Sequence, residues 1–263
     1  EMVSDSPAGE LLGETTREYT FESCGETLDM AELQEIWESK LEPVYPYRKA
    51  GPTVEKINGK LNAPAAPKIC VSMPQAIIPV FPGTNCEYDT AKAFARAGAD
   101  PEILVVRNLT PADVAESCEA LVKASDASQI VMLPGGFSGG DEPDGSAKFI
   151  ASFFRSPAVT EAVRDLLQHR DGLMLGICNG FQALIKLGLV PYGDIRPITA
   201  YDPTLTFNTI GRHQSMLVRT RIASTGSPWL SKCSVGDQHT VAISHGAGRF
   251  VAPQSVLATL LAT

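Results

Sequence analysis

The sequence predicts an α/β fold with a doubly wound, mostly parallel sheet, an antiparallel extension after Gly193 and an N-terminal extension before Gln75. Three observations carry this prediction. From Gln75 onward, short apolar runs alternate with helical segments in β-α-β-α-β order, the pattern of a parallel sheet with helical crossovers. Glycine-bearing loops follow the first and third runs, at the carboxyl ends of strands, where open α/β sheets hold their sites. Leu173 to Gln182 reads as a buried central strand that turns abruptly into a helix, with Gly176 and Gly180 flanking Cys178 in a G-x-C-x-G pattern.

Taken in order, the chain begins acidic. Residues 1–50 hold 12 of the 30 acidic groups and 4 of the 22 basic ones, so they carry the whole net charge of −8. That shift marks a boundary, and the lack of a basic patch on either side of it argues against nucleic acid as a partner. Leu28, Ala31, Leu33, Ile36, Trp37 and Leu41 are spaced as an amphipathic helix, ended by Pro43 and Pro46. Residues 50–74, with Pro52, Pro64, Pro67 and Pro74, read as an extended linker.

The core elements follow from residue 75. Ala76–Phe81 is a strand, with Pro79 an objection to a fully central position. Pro82–Cys86 is a loop, Tyr88–Ala97 a helix stopped by Gly98, and Ile103–Val106 the second strand. Pro111–Lys123 is a helix with Thr110 as N-cap and Pro at its first position. Gln129–Leu133 is the third strand, and helices follow over 147–154 and 158–169. After Gly193 the runs Leu205–Asn208, Ser215–Ile222 and Thr240–Ile243 are strand-like. At the end, Val256, Leu257, Leu260 and Leu261 lie at helical spacing with no stop signal, which predicts a truncated domain with an exposed apolar helix or an unpaired sheet position.

Composition bounds the setting. Hydrophobic content of 44% suits a globular protein, no apolar run approaches a membrane span, and no signal-peptide pattern opens the chain. The six cysteines are scattered without a C-x-x-C pair, which speaks against structural zinc or a disulfide framework and for a reducing, cytoplasmic location.

The chemistry centres on Cys178. A lone cysteine is more often a buried structural residue, but a strand–turn–helix setting is the thiol counterpart of the G-x-S-x-G nucleophile elbow. The flanking glycines relieve a tight turn, and Phe181, Ala183, Leu184 and Leu187 form the apolar face of the helix that Gly188 stops. A cysteine there meets backbone N–H groups and the positive end of the helix dipole, which favour thiolate. The Pro134-Gly135-Gly136-Phe137-Ser138-Gly139-Gly140-Asp141 loop lacks the residues of a P-loop or dinucleotide turn. It reads as an oxyanion loop whose amides join the Asn179 N–H, or else as a flexible surface loop. Of four histidines, His245 alone lies at a strand end among glycines, which suits a general base. His169, His213 and His239 sit in polar surroundings as solvated or structural residues.

Gly176-Ile177-Cys178-Asn179-Gly180-Phe181-Gln182, Pro134-Gly135-Gly136-Phe137-Ser138 and Ser244-His245-Gly246-Ala247-Gly248-Arg249 together resemble the class I (triad) glutamine amidotransferases, which are flavodoxin-like. Phe81-Pro82-Gly83-Thr84-Asn85-Cys86 narrows the resemblance to the glutaminase part of the phosphoribosylformylglycinamidine synthase family, over residues 75–263. Trp37-Glu38-Ser39-Lys40-Leu41-Glu42-Pro43 makes residues 1–49 similar to the tail of the synthase region in single-chain members. The resemblance implies L-glutamine as substrate, Cys178 and His245 as catalytic residues, and Gly135, Gly136, Phe137, Asn179, Gln182 and Asn208 in oxyanion and substrate binding. It implies no metal or cofactor in this chain. ATP and Mg belong to the synthase region, the partner on the same polypeptide that takes up the ammonia.

One position departs from the family pattern Ser-His-Gly-Glu-Gly-Arg: Ala247 stands where the glutamate that orients the histidine belongs. In the serine-protease template, disabling the corresponding acid lowers turnover by roughly 10⁴-fold. The loss of glutamate predicts a formed pocket with a poorly oriented His245, unless another acid such as Asp237 takes over, and predicts that Ala247→Glu raises turnover by orders of magnitude. Three readings stand: a glutaminase domain, active or impaired; a catalytically inactive docking or scaffold domain of the same synthase; or another α/β protein with a cysteine elbow.

Overall fold

A computed structural model describes residues 12–44, 69–141 and 145–262. The chain divides into two units, Glu1–Thr53 and Val54–Thr263. Most of the linker predicted over 50–74 lies outside the described residues.

In the first unit, β1 (Thr20–Ser23) and β2 (Glu26–Asp29) form an antiparallel hairpin. Cys24 and Gly25 at its tip have φ of 54° and 83°, the paired positive values of a type I′ turn, whose twist matches that of the strands. Helix α1 (Met30–Ser39) starts where the Asp29 carboxylate accepts from the amides of Ala31 (2.8 Å) and Glu32 (3.4 Å). The helix predicted from Leu28 to Leu41 is therefore shorter at both ends, because Leu28 belongs to β2 and the Asp29 cap fixes the start. Phe21, Ile36 and Trp37 are exposed.

The second unit holds a four-stranded parallel sheet of β3 (Gln75–Val80), β5 (Asp100–Val105), β6 (Ile130–Leu133) and β8 (Leu173–Gly176) in the order β5-β3-β6-β8. The strand order reverses between β3 and β6, which makes that crevice the topological switch point. The intervening elements are β4 (Thr84–Asn85), α2 (Glu87–Arg96), α3 (Pro111–Ala127), β7 (Gly135–Gly136), α4 (Lys148–Phe154) and α5 (Pro157–Arg164), which runs on into a π turn over Asp165–His169. Thr110 and Asp113 cap α3 reciprocally. All four residues of β6 are buried, so both faces of the sheet centre are covered. Phe81 anchors the core against Phe149, Phe153 and Phe154, with ring centroids 5.6, 5.3 and 6.3 Å away.

Two expectations meet the structure differently. Pro79 sits in β3, an inner strand. The Val80 carbonyl accepts from Val106 (2.8 Å) on the β5 side, so alternation turns Pro79's missing N–H toward β6. The β6 ladder ends at Ile77↔Val131, where the next β3 donor toward β6 would have been the N–H that Pro79 lacks. The strand before Cys178, predicted to be central and covered on both faces, is half-buried and lies at the sheet edge. Outside β8 the Trp229 indole N–H donates to the Met174 carbonyl (3.1 Å), and its ring meets Phe94 edge-on at 6.4 Å.

Beyond β8 come α6 (Asn179–Leu187), a short α7 (Leu189–Tyr192), β9 (Thr204–Thr206), β10 (Gln214–Arg221), β11 (Gln238–His245), β12 (Arg249–Val251) and α8 (Gln254–Ala262). β10 pairs antiparallel with β11, and β9 with β12. These are the predicted antiparallel extension. In α8, Val256, Leu257 and Leu260 are half-buried and Leu261 is exposed. The segment leading into β9 is clamped by Asp202, which accepts from Tyr192 Oη (2.8 Å), Thr199 N (2.7 Å), Thr199 Oγ1 (2.9 Å) and Arg196. These donors hold the Asp202 carboxyl well below the usual carboxylate range, the Thr199 amide foremost.

Candidate active site

The turn from β8 into α6 is made by Cys178 at φ 53°, ψ −109°, outside the allowed regions of an L-residue and therefore strained. Glycines make the turn possible. A Cβ on Gly176 would lie 2.6 Å from the Gly180 carbonyl oxygen, and one on Gly180 2.1 Å from that of Leu133. Gly180, Ala183, Leu184 and Leu187 are the buried stripe of α6, while Phe181 is turned partly to solvent. The predicted face thus shifts by one residue at its start. Gly188 ends the helix at φ 88°. Cys178 is left exposed at the helix N-terminus, where the Asn179 N–H has no intrahelical partner.

The glycine loop is held against this elbow. β7 pairs with β4, and the Phe137 amide donates to the Gly83 carbonyl at 2.7 Å. Bonds alternate along an antiparallel pair, so the Gly136 N–H points away from β4. Gly136 has φ 110°, and a Cβ there would come within 2.6 Å of the Gly83 carbonyl oxygen and of Thr84 Cα. A Cβ on Gly135 would sit 3.3 Å from Cys178 Cβ. The buried Asn179 side chain pins the loop: its Oδ1 accepts from Ser138 N (3.1 Å), and its Nδ2 donates to Asp141 Oδ2 (3.0 Å) and Gln182 Oε1 (3.0 Å). Asp141 also accepts from Ala147 N (2.9 Å). A loop tied at these points is not a flexible surface segment over 135–141.

His245 closes β11. Its Nδ1 lies 3.0 Å from Asn208 Oδ1, so the expectation that Ala247 leaves the imidazole without an orienting partner does not hold. Asp237 is not that partner, since it precedes β11 and the register Arg221↔Gln238, Gln214↔His245 puts it at the opposite end of the hairpin, roughly 25 Å away at strand rise. The ring rests on Gly248, where a Cβ would come 2.3–2.6 Å from its atoms. The Gln182 amide donates to the Ala247 carbonyl (2.9 Å), which fastens the His245 turn to α6.

Cys178 and His245 share the walls of two adjoining cavities, of about 350 and 290 Å³, the larger within the range of small-molecule sites. Gln182 and Ala247 line both, and Gly136 and Phe137 line the larger one. Of the other predicted residues, Gly135 and Asn179 lie behind the elbow. Asn208 stands behind His245, off the cavity wall, because its amide is used by the His245 turn. His169 is exposed beside Asp165, while His213 bonds Ser244 Oγ at 2.9 Å, next to His245.

Two charged residues of the larger cavity were not anticipated. Asp141 follows the glycine run, and Lys186 stands four residues after Gln182 on the same helical face. Burial pushes the Lys186 ammonium below its ordinary value, against the pull of Asp141. The spacing of Lys186 from Gln182 was the signal that could have found it.

A cysteine elbow at a switch-point sheet, faced by a glycine-rich loop and a histidine on an antiparallel extension, defines a class of α/β proteins. The chain belongs to the CobB/CobQ-like glutamine amidotransferase domain family, whose sequence profile matches residues 73–263. Within it the chain is similar to phosphoribosylformylglycinamidine synthase subunit PurQ of Rubrobacter xylanophilus, 36% identical over 181 residues, covering 69% of this chain and 68% of that protein. The same subunit of Symbiobacterium thermophilum is 34% identical over 184 residues, covering 69% and 64%. The chain thus spans about two thirds of the length of these relatives. The solved structure of PurLQS from Thermotoga maritima superposes with a TM-score of 0.52 at 25% identity, covering 69% of this chain and 71% of that one. No helix among the described residues is long and apolar enough to cross a membrane.

Proposed function

We propose that this chain hydrolyses glutamine through a glutamyl thioester on Cys178. It then hands the ammonia to an ATP-dependent synthase that converts formylglycinamide ribonucleotide to its amidine in purine biosynthesis. The observation that carries this reading is the meeting of Cys178 and His245 on one cavity wall, with Gly136 on the same wall. The thiol proton passes to His245, and sulfur attacks the side-chain carbonyl of glutamine. The oxyanion is held by the Gly136 and Asn179 amides. His245 then protonates the departing nitrogen, ammonia leaves, and water, deprotonated by the same imidazole, hydrolyses the thioester to glutamate. Lys186 and Asp141 give the larger cavity one charge of each sign, suited to the α-carboxylate and α-ammonium of a free amino acid.

The step needs no cofactor in this chain; ATP and Mg serve the synthase region. Residues 1–49 are read as the tail of that region on the same polypeptide, in the cytoplasm. The relatives' name supports the pathway, and the elbow supports the chemistry. The test is mass spectrometry after limiting treatment with a glutamine-mimicking electrophile, with and without the synthase. Modification confined to Cys178 and a trapped thioester in the presence of glutamine are expected. Labelling mainly at Cys86 or Cys233 overturns the assignment. Glutamine binding without turnover, in the presence of the synthase, selects the scaffold reading instead.

A further inference from the structure

We infer that Asn208 is the positioning residue of this site, and that its side-chain amide does for His245 what a carboxylate at residue 247 would do. The inference rests on the glutaminase reading for its kinetic part and on geometry alone for its structural part. Asn208 makes five bonds to the His245 turn and Arg212, besides accepting from Gly211 N (3.0 Å) at its own carbonyl. Its Nδ2 donates to the carbonyls of His245 (2.7 Å) and Arg212 (3.1 Å). Its Oδ1 accepts from Gly248 N (3.3 Å) and lies 3.0 Å from His245 Nδ1. Its own N–H donates to Gly246 O (2.8 Å).

This network settles two questions of proton placement. Carbonyls only accept, so the end of the amide facing two of them must be the NH₂ end, and the amide cannot be flipped. The end facing His245 is then an oxygen that also receives the Gly248 amide. An oxygen only accepts, so Nδ1 must carry a hydrogen. In the neutral ring Nε2 is then the basic atom, as a base for Cys178 requires. An asparagine put in place of the triad acid of a serine protease fails because it leaves the wrong tautomer. Here the two carbonyls exclude that tautomer. The ring has little other freedom, because Gly248 supports one face so closely that no Cβ fits. Orientation and tautomer are therefore supplied without a carboxylate, and Ala247 lacks only the negative charge.

The test has two arms on the full chain. In the first, ¹⁵N NMR of histidine-labelled protein, above the pH at which the ring titrates, reports the tautomer of His245. A protonated Nδ1 and a bare Nε2 are expected, and the reverse overturns the inference whatever the enzyme does. In the second, glutaminase turnover is measured with the synthase present. Asn208→Ala should lower kcat by about a hundredfold or more, the scale of general acid–base catalysis, with KM for glutamine changed less than about threefold. Ala247→Glu alone should change kcat by about tenfold at most, because Nδ1 is already bonded; in the Asn208→Ala background it should restore most of the loss. Asn208→Asp puts a charge beside the imidazole and should move the limb of the pH–rate profile set by that ring to higher pH. An Asn208→Ala kcat within twofold of the parent, or a gain above about a thousandfold from Ala247→Glu alone, overturns the inference. If no variant turns over glutamine while the tautomer is as stated, the glutaminase reading fails and the positioning geometry stands.

Discussion

Lys186 shows how one residue's surroundings set its use. It is half-buried on α6, its ammonium depressed by burial, with Asp141 on the same cavity wall. A cation there binds an anionic head group in ground and transition states alike, so Lys186→Met should raise KM for glutamine about tenfold and leave kcat within about threefold. The depressed ammonium loses its proton sooner as pH rises, so KM in the parent should climb at lower pH than an ordinary lysine would allow; initial-rate kinetics across the alkaline range check both. Cys178 and His245 were legible in the sequence because glycines fence them and both fall at strand ends. The contact of Asn208 with His245 was not legible, since 37 residues separate the two and they meet where the pairings of β9 with β12 and of β10 with β11 bring the loop after β9 to the end of β11. Ala247 misled for the same reason: the missing side chain is visible in one dimension, and its replacement only in three.

Among the elements, the β8–α6 elbow depends on backbone contact more than on apolar area. Gly180 lies so close to the Leu133 carbonyl that a methyl group has no room, and the neighbour is backbone of the central strand β6. Gly180→Ala should destabilise the protein by about 1–3 kcal/mol, as overpacking does. It should also abolish labelling of Cys178 at limiting reagent; denaturant titration and mass spectrometry read the two effects. The helix and strand periods predicted the longer elements of the second unit, because each apolar run is bounded by glycine, proline or a cap such as Thr110, but not the short β4, β7, α7 and β12. Edge and centre were not distinguished. The apolar run Leu173–Leu175 looks like β6 in sequence, yet among the described residues it has a neighbour strand on one side only. In the first unit the amphipathic spacing of Leu28–Leu41 overran a stronger local signal, the Asp29 carboxylate that caps α1.

At the scale of the molecule, the Asp202 clamp links stability to pH. Its carboxyl titrates lower in the folded protein than in the unfolded chain. Its contribution is therefore fully present above the ordinary carboxylate range and is lost as pH falls below about 4. Asp194, lowered chiefly by its bond to Arg164, acts in the same direction. Asp202→Asn should lower the melting temperature at pH 7, and the gap between variant and parent should close in melts at progressively lower pH. A gap that stays constant into acid would show that the clamp works through packing alone. The division of the chain into two units has an optical counterpart. Its two tryptophans fall one to each unit, Trp37 79% exposed on α1 and Trp229 36% exposed, hydrogen-bonded to the strand that ends in the elbow. The protein thus carries a water-facing fluorophore in one unit and a more enclosed one in the other, so a red shift of its emission reports the loss of the Trp229 contacts in the second unit.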